Sequence, residues 1–224
     1  DALYREVVQF RERTGKPVVI SMGEIATSGG YYLAMAGDEV IAEPTTITGS
    51  IGVIILTVNV SDGLKRIGIV ARSVKSGVNK DLANPLEPMR EAQYAVLQGL
   101  VDEHYASFRS LVVERRTRAG LERPLDQSRL DELTDGRVMS GTTALAAGLI
   151  DGTGGVRHAF DRARRLAGLG DARLVKYHAE GTAARSPYAA TVETGPMPGA
   201  PTAVADANLV DIGSLTRLTP GTVS

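Results

Sequence analysis

Ser28, in the run Thr27-Ser28-Gly29-Gly30-Tyr31-Tyr32, stands where a strand-like segment gives way to a helix-like one. Before it, Val18, Val19, Ile20 and Met22 lie between Pro17 and Gly23 and read as an interior strand. After it, Tyr31, Tyr32, Leu33, Met35 and Ala36 continue at helix-compatible spacing up to Gly37. A serine at such a junction has two readings. As an N-cap it satisfies the first free amides of the helix. As a nucleophile it does acyl chemistry: the two glycines let a substrate backbone approach the hydroxyl, and the helix start offers N–H groups where negative charge develops.

A serine nucleophile needs a base within hydrogen-bond reach. His104 falls inside a long helical segment, and His158 and His178 come late in the chain. None has metal-ligand spacing or sits in a catalytic signature. Lysine is the next candidate. Lys80, in Ser76-Gly77-Val78-Asn79-Lys80-Asp81, follows a strand-like segment in a glycine-bearing loop, a place where side chains work at the end of a sheet. To act as a base it must be neutral, and a lysine with a reference pKa of about 10.4 needs a depression of about three units, or about 4 kcal/mol. Burial away from carboxylates provides that, so Asp81 has to point elsewhere. The alternative is an ordinary solvent-exposed loop lysine.

The elements that must position these residues follow an α/β alternation. Residues 1–13 read as an amphipathic helix with Leu3, Tyr4, Val7, Val8 and Phe10 toward one side. Residues 39–42, 51–60 and 68–74 are strand-like and rich in Val and Ile, with a short helix at 61–67. Residues 89–118 form the longest periodic segment, a long helix with Leu97, Leu100, Val101, Tyr105, Phe108, Leu111 and Val112 at helical spacing. Arg115, Arg116 and Arg118 at its end read as a solvated C-terminal cluster favoured by the helix dipole. Helices are expected at 140–147 and 156–167, a turn at 148–151, and a last strand at 173–178. From Ala179 to Ser224 the composition turns to Ala, Thr, Pro, Gly and Ser, which reads as a flexible tail. Its more apolar stretch Leu209-Val210-Asp211-Ile212 could dock in a groove.

Composition excludes several classes. At 43% hydrophobic and 23% charged residues the chain is globular in character, and a net charge of -1 argues against nucleic acid or an acidic membrane surface as partner. Zero cysteines exclude disulfides, thiolate catalysis and cysteine-rich zinc sites. No run approaches the roughly 20 apolar residues of a membrane helix.

Several motifs in order resemble the bacterial signal peptide peptidase A family. They are Ala26-Thr27-Ser28-Gly29-Gly30-Tyr31-Tyr32-Leu33-Ala34, Thr48-Gly49-Ser50-Ile51-Gly52-Val53-Ile54, Ser76-Gly77-Val78-Asn79-Lys80-Asp81, Gly136-Arg137-Val138 and Gly148-Leu149-Ile150-Asp151. The resemblance implies a Ser-Lys dyad serine peptidase on a ClpP/crotonase-like α/β fold, a central sheet flanked by helices, occupying residues 1–178 and lacking its N-terminal strands in this chain. It implies Ser28 as nucleophile and Lys80 as general base, Ser50 orienting the lysine and the Gly29 N–H as one oxyanion donor, with no cofactor or metal. Read from residues alone, Ser50 is a turn serine. The family takes its second donor from an upstream glycine loop, so a longer polypeptide carrying that loop and a membrane anchor is expected. The resemblance also implies hydrophobic, signal-peptide-like substrates, a homo-oligomeric ring, and a bacterial envelope location with the catalytic domain extracytoplasmic. Three other readings stand beside it: a phage capsid-maturation type protease, a non-catalytic scaffold of the same fold, and a crotonase-like acyl-CoA enzyme.

Overall fold

The computed structural model describes residues 1–175 and Tyr177, which fall into two compact units. One comprises Asp1–Ile51 with the described residues from Ser110 onward; the other is Gly52–Arg109.

In the first unit, short strands in which Val, Ile, Met and Ala predominate build a parallel sheet. β1 (Val19–Met22) pairs with β3 (Glu39–Ala42), Val19 opposite Glu39 and Met22 opposite Ala42. β3 in turn pairs with β6 (Gly152–Thr153). Helices cover both faces. On one, Ala159 and Ala163 of α7 (Val156–Leu166) pack on Val19 and Ile41. On the other, Val7 of α1 (Ala2–Thr14) meets Val18 and Ala36, with Tyr4, Phe10 and Leu33 around them. These layers supply the central sheet and flanking helices expected from the α/β pattern.

A second sheet of three short strands carries the candidate site. β2 (Ile25–Thr27) runs parallel to β4 (Ile47–Gly49), and β4 antiparallel to β5 (Val138–Ser140). Two six-residue helices continue from these strands. α2 (Gly29–Ala34) follows β2, and α6 (Gly141–Ala146) follows β5, where the Ser140 hydroxyl accepts from the Thr143 N–H at 3.2 Å. A 3-10 turn at Gln127–Arg129 leads into the one-turn helix α5 (Leu130–Leu133).

The second unit contains α3 (Ser61–Arg66) and most of α4 (Glu91–Arg116), whose last turns belong to the first unit. The strands expected at 51–60 and 68–74 are absent: both stretches are irregular, with Ile54, Leu56, Val58, Ile69, Val70 and Val74 exposed. Valine and isoleucine favour a strand, but a strand forms only where a neighbour takes up its backbone N–H and C=O groups. Among the described residues no strand pairs with either stretch. The strand expected at 173–178 is likewise not formed at 173–175, and Lys176, His178 and the whole tail from Ala179 lie outside the described residues.

The basic cluster at the end of α4 differs from its sequence reading. Phe108, Val112 and Arg116, four residues apart, are all buried, and Arg116 is just 2% exposed. Arg115 donates to the Gly37 carbonyl at 2.6 Å and Arg118 to that of Asp38, while Arg11 of α1 donates to that of Ala36 at 2.8 Å. Three guanidiniums thus satisfy the carbonyls that follow α2, an interaction a solvated cluster would leave to water.

Candidate active site

The β2–β4 ladder sets Thr27 beside Gly49, and the Ser28 N–H extends it by one bond to the Gly49 carbonyl at 2.9 Å. The chain then reverses. Ser28 has φ 49 and ψ −113, a left-handed backbone for a residue with a side chain, and its carbonyl accepts the first helical bond from the Tyr32 N–H at 2.8 Å. Such a conformation costs about 1–3 kcal/mol and persists where surrounding contacts enforce it. This is the geometry of a nucleophile elbow, a sharp strand-to-helix turn that pushes a hydroxyl out of the fold. The Ser28 side chain makes no capping hydrogen bond, so its hydroxyl is not spent on the helix as an N-cap would be. Gly29 is exposed, and a Cβ at that position would meet nothing within 4 Å. The space beside Gly29 is therefore open.

Ser50 is brought to the same level as Ser28, one residue past the paired ends of β4 and β2. It too has a positive φ, 51°, and its N–H donates to the Arg137 carbonyl at 2.7 Å. Gly49 before it has φ 81, and a Cβ there would stand 2.9 Å from the same carbonyl, so no larger residue fits. The Gly136-Arg137-Val138 run thus supports the Ser50 corner through its backbone. The Arg137 side chain faces outward to Asp135 and Glu132; its hydrogen bond is the main cause holding the Asp135 carboxyl below its usual range, and that of Arg129 is the main cause for Glu132.

Beneath α2 lies a buried polar network that the sequence reading missed. The Tyr31 hydroxyl donates to the Leu149 carbonyl at 2.7 Å, tying the first turn after Ser28 to the 148–151 turn. Burial pushes the Tyr31 phenol above its ordinary value, against the pull of Arg116 and with a smaller push from Asp151. It stays protonated and able to donate. Arg116 grips Asp151 at 2.8 and 2.9 Å and donates to the Gly148 carbonyl at 2.8 Å, while Asp151 also accepts from the Val40 N–H at 2.7 Å. At Gly148, with φ 74, a Cβ would fall 2.2 Å from the Pro124 carbonyl. The signal for Arg116 was present in its spacing of eight from Phe108 and four from Val112.

Lys80 belongs to the second unit, in a turn closed by its own N–H donating to the Gly77 carbonyl at 3.1 Å, and its side chain is exposed. Asp81 next to it pairs with Lys75, whose hydrogen bond is the main cause holding the Asp81 carboxyl below its usual range. Ser28, Gly29 and Ser50 are thus assembled within one unit, and Lys80 is carried by the other. Among the described residues no group of three His, Asp or Glu side chains is placed to hold a metal ion, and no helix is long and apolar enough to cross a membrane.

Residues 11–170 match the profile described as Peptidase family S49, a span that includes Ser28, Gly29, Ser50 and Lys80. The chain is 36% identical over 155 residues to the Na(+)/H(+) antiporter NhaA of Brucella abortus, covering 69% of this chain and 20% of that protein. It is 32% identical over 170 residues to the chloroplastic serine protease SPPA of Arabidopsis thaliana, covering 75% of this chain and 24% of that one. It therefore spans a quarter or less of these two relatives. Among solved structures, a mutant of the membrane-bound stomatin-specific protease 1510-N is similar at 14% identity and a TM-score of 0.41, covering 71% of this chain and 61% of that chain. The α/β architecture expected from the sequence is present in the first unit, with one parallel and one mixed sheet and helices packed on them. The chain belongs to peptidase family S49, the family of the signal peptide peptidase A type that its motifs resemble.

Proposed function

We propose that this chain carries the catalytic residues of a serine endopeptidase that uses a Ser28–Lys80 dyad. The observation that supports the reading best is the sharp turn at Ser28, a strained backbone whose hydroxyl makes no capping bond and is followed by an exposed glycine with open space around it. In this mechanism neutral Lys80 takes the Ser28 proton as the hydroxyl attacks a peptide carbonyl. The Gly29 N–H donates to the developing oxyanion, the lysinium protonates the leaving amine, and water then releases the acyl group. Ser50 hydrogen-bonds the lysine amine and holds it in line.

Because Lys80 is exposed within this chain, its neutral form requires a drier setting than the lone chain provides. Assembly of identical subunits around the site supplies one, which makes activity depend on a homo-oligomeric ring. The substrates are hydrophobic peptides of the signal-peptide kind, met at a bacterial membrane on its extracytoplasmic side. The test is labelling with a fluorophosphonate probe together with turnover of a fluorogenic peptide by full-length, assembled protein. Labelling is expected in the wild type and lost in Ser28→Ala. Turnover is expected to fall by about 10³-fold or more in Lys80→Ala, since the serine then lacks its base. Turnover that survives both substitutions would remove the dyad.

A further inference from the structure

Lys80 has an acidic neighbour in sequence, and the second unit shows what occupies that carboxylate. The Asp81 side chain is 14% exposed. Its Oδ2 pairs with the Lys75 ammonium, and its Oδ1 accepts from Gln93 Nε2 at 3.4 Å. Gln93 is a buried polar side chain in the first turn of α4, and all its capacity is used on this loop. Its Nε2 also donates to the Val78 carbonyl at 3.0 Å, and its Oε1 accepts from the Arg90 N–H at 3.1 Å and from Arg90 Nε at 3.2 Å. Arg90 donates to the same Val78 carbonyl at 2.7 Å.

Val78, two residues before Lys80, and Asp81, the residue after it, are therefore held by groups other than Lys80. Lys75, Asp81 and Gln93 line a cavity of about 240 Å³ whose other carboxylate, that of Glu87, accepts from the Ser73 N–H at 2.6 Å. Among the described residues none forms an ion pair with Lys80.

We propose that Lys75 is a positioning residue of the catalytic apparatus: with Gln93 it sequesters the Asp81 carboxylate, so that this charge does not engage the adjacent Lys80 amine. The inference rests on the reading of Lys80 as general base. A carboxylate within about 4–6 Å of an ammonium favours the charged form and would disable the base. Neutralised by Lys75, the same carboxylate is harmless to it. The charged and titratable groups facing Asp81 are Lys75 on the preceding loop and Glu87 and Arg90 ahead of α4, with Gln93 completing its hydrogen bonds.

The experiment is kcat/KM for a fluorogenic peptide against pH, with full-length assembled protein as wild type, Lys75→Met, Lys75→Arg and Lys75→Met/Asp81→Asn. Activity rises with pH as the base loses its proton. In Lys75→Met the freed carboxylate raises the proton affinity of Lys80, so the rising limb moves up by about one unit, about tenfold less activity on its acid side. Lys75→Arg keeps the pair, and the double variant removes the carboxylate; both are expected to return the limb to its wild-type position. An unmoved limb in Lys75→Met, with Lys80 still essential, overturns this inference and leaves the dyad standing. A loss in Lys75→Met equal at every pH and not rescued by Asp81→Asn overturns it as well, by making Lys75 merely structural. Turnover that persists in Lys80→Ala removes the base and this inference together.

Discussion

The unit that carries Ser28 and the unit that carries Lys80 are held together by different forces. Around Ser28 a parallel sheet, an aliphatic core on both its faces and the buried Arg116–Asp151 pair enforce one backbone path. Around Lys80 the chain is tied by polar side chains instead. Asn59 donates to the Glu87 carbonyl at 2.9 Å, Glu87 accepts from the Ser73 N–H, and Gln93 holds Val78, while much of the aliphatic surface faces outward. The contrast fits the roles proposed for the two residues. A serine must be aimed, and aiming needs a backbone that cannot relax. A lysine base must be kept uncharged, and that depends on its surroundings more than on its own loop.

The largest effect that separates the two units is expected from Arg116→Ala. It leaves the Asp151 carboxylate buried with the Val40 N–H as remaining partner and orphans the Gly148 carbonyl. Breaking a buried pair in this way costs about 3–5 kcal/mol. Urea denaturation of the full chain measures it, and hydrogen exchange locates it: β3 and α2 should lose protection while α3 keeps its own. A loss below about 1 kcal/mol would mean that the pair is not what secures the unit that carries Ser28.

A smaller and sharper effect concerns the elbow. Ser28→Ala keeps the positive φ, whereas Ser28→Gly relieves it and gives back part of that gain through the greater freedom of unfolded glycine. Ser28→Gly is therefore expected to be more stable than Ser28→Ala by about 1 kcal/mol, with neither variant hydrolysing peptide. The reverse order of denaturation midpoints would show that the left-handed turn is not built into the folded chain.

How much of this was legible in the sequence depends on where each signal resides. The Ser28 junction was legible because a bounded apolar run, a glycine pair and a helical spacing all lie within twenty residues of it. Helices α1, α4 and α7 declared themselves through amphipathic spacing. The strands β2, β4 and β5 did not. Each is three residues long, and β4 exists because residues 22 positions before it and about 90 after it supply its ladder. The same non-local dependence explains the opposite error at 51–60 and 68–74, where valine and isoleucine promised strands and no partner strand is present among the described residues. Arg116 was misread because its charge outweighed its position on the buried stripe of α4. The nearness of Ser50 to Ser28 could be reached through the family resemblance, since the register that aligns them is a property of the folded ladder.

The run that begins at Ile51 crosses from one unit to the other and offers the finest comparison. Ile51 is fully buried in the first unit, and Leu56, five residues on in the second, is 80% exposed. By composition the two are alike. If burial alone decides their contribution, Ile51→Ala should cost about 2–5 kcal/mol through lost contacts and a cavity. Leu56→Ser should stay within about 0.5 kcal/mol, as for an ordinary surface change. The pair of denaturation curves is most informative at low protein concentration, where any association is weakest. A Leu56→Ser cost that grows with protein concentration would place that side chain under another molecule in solution. A large cost at every concentration would mean that residues 52–60 are covered within the chain itself, and that the two units do not differ as described.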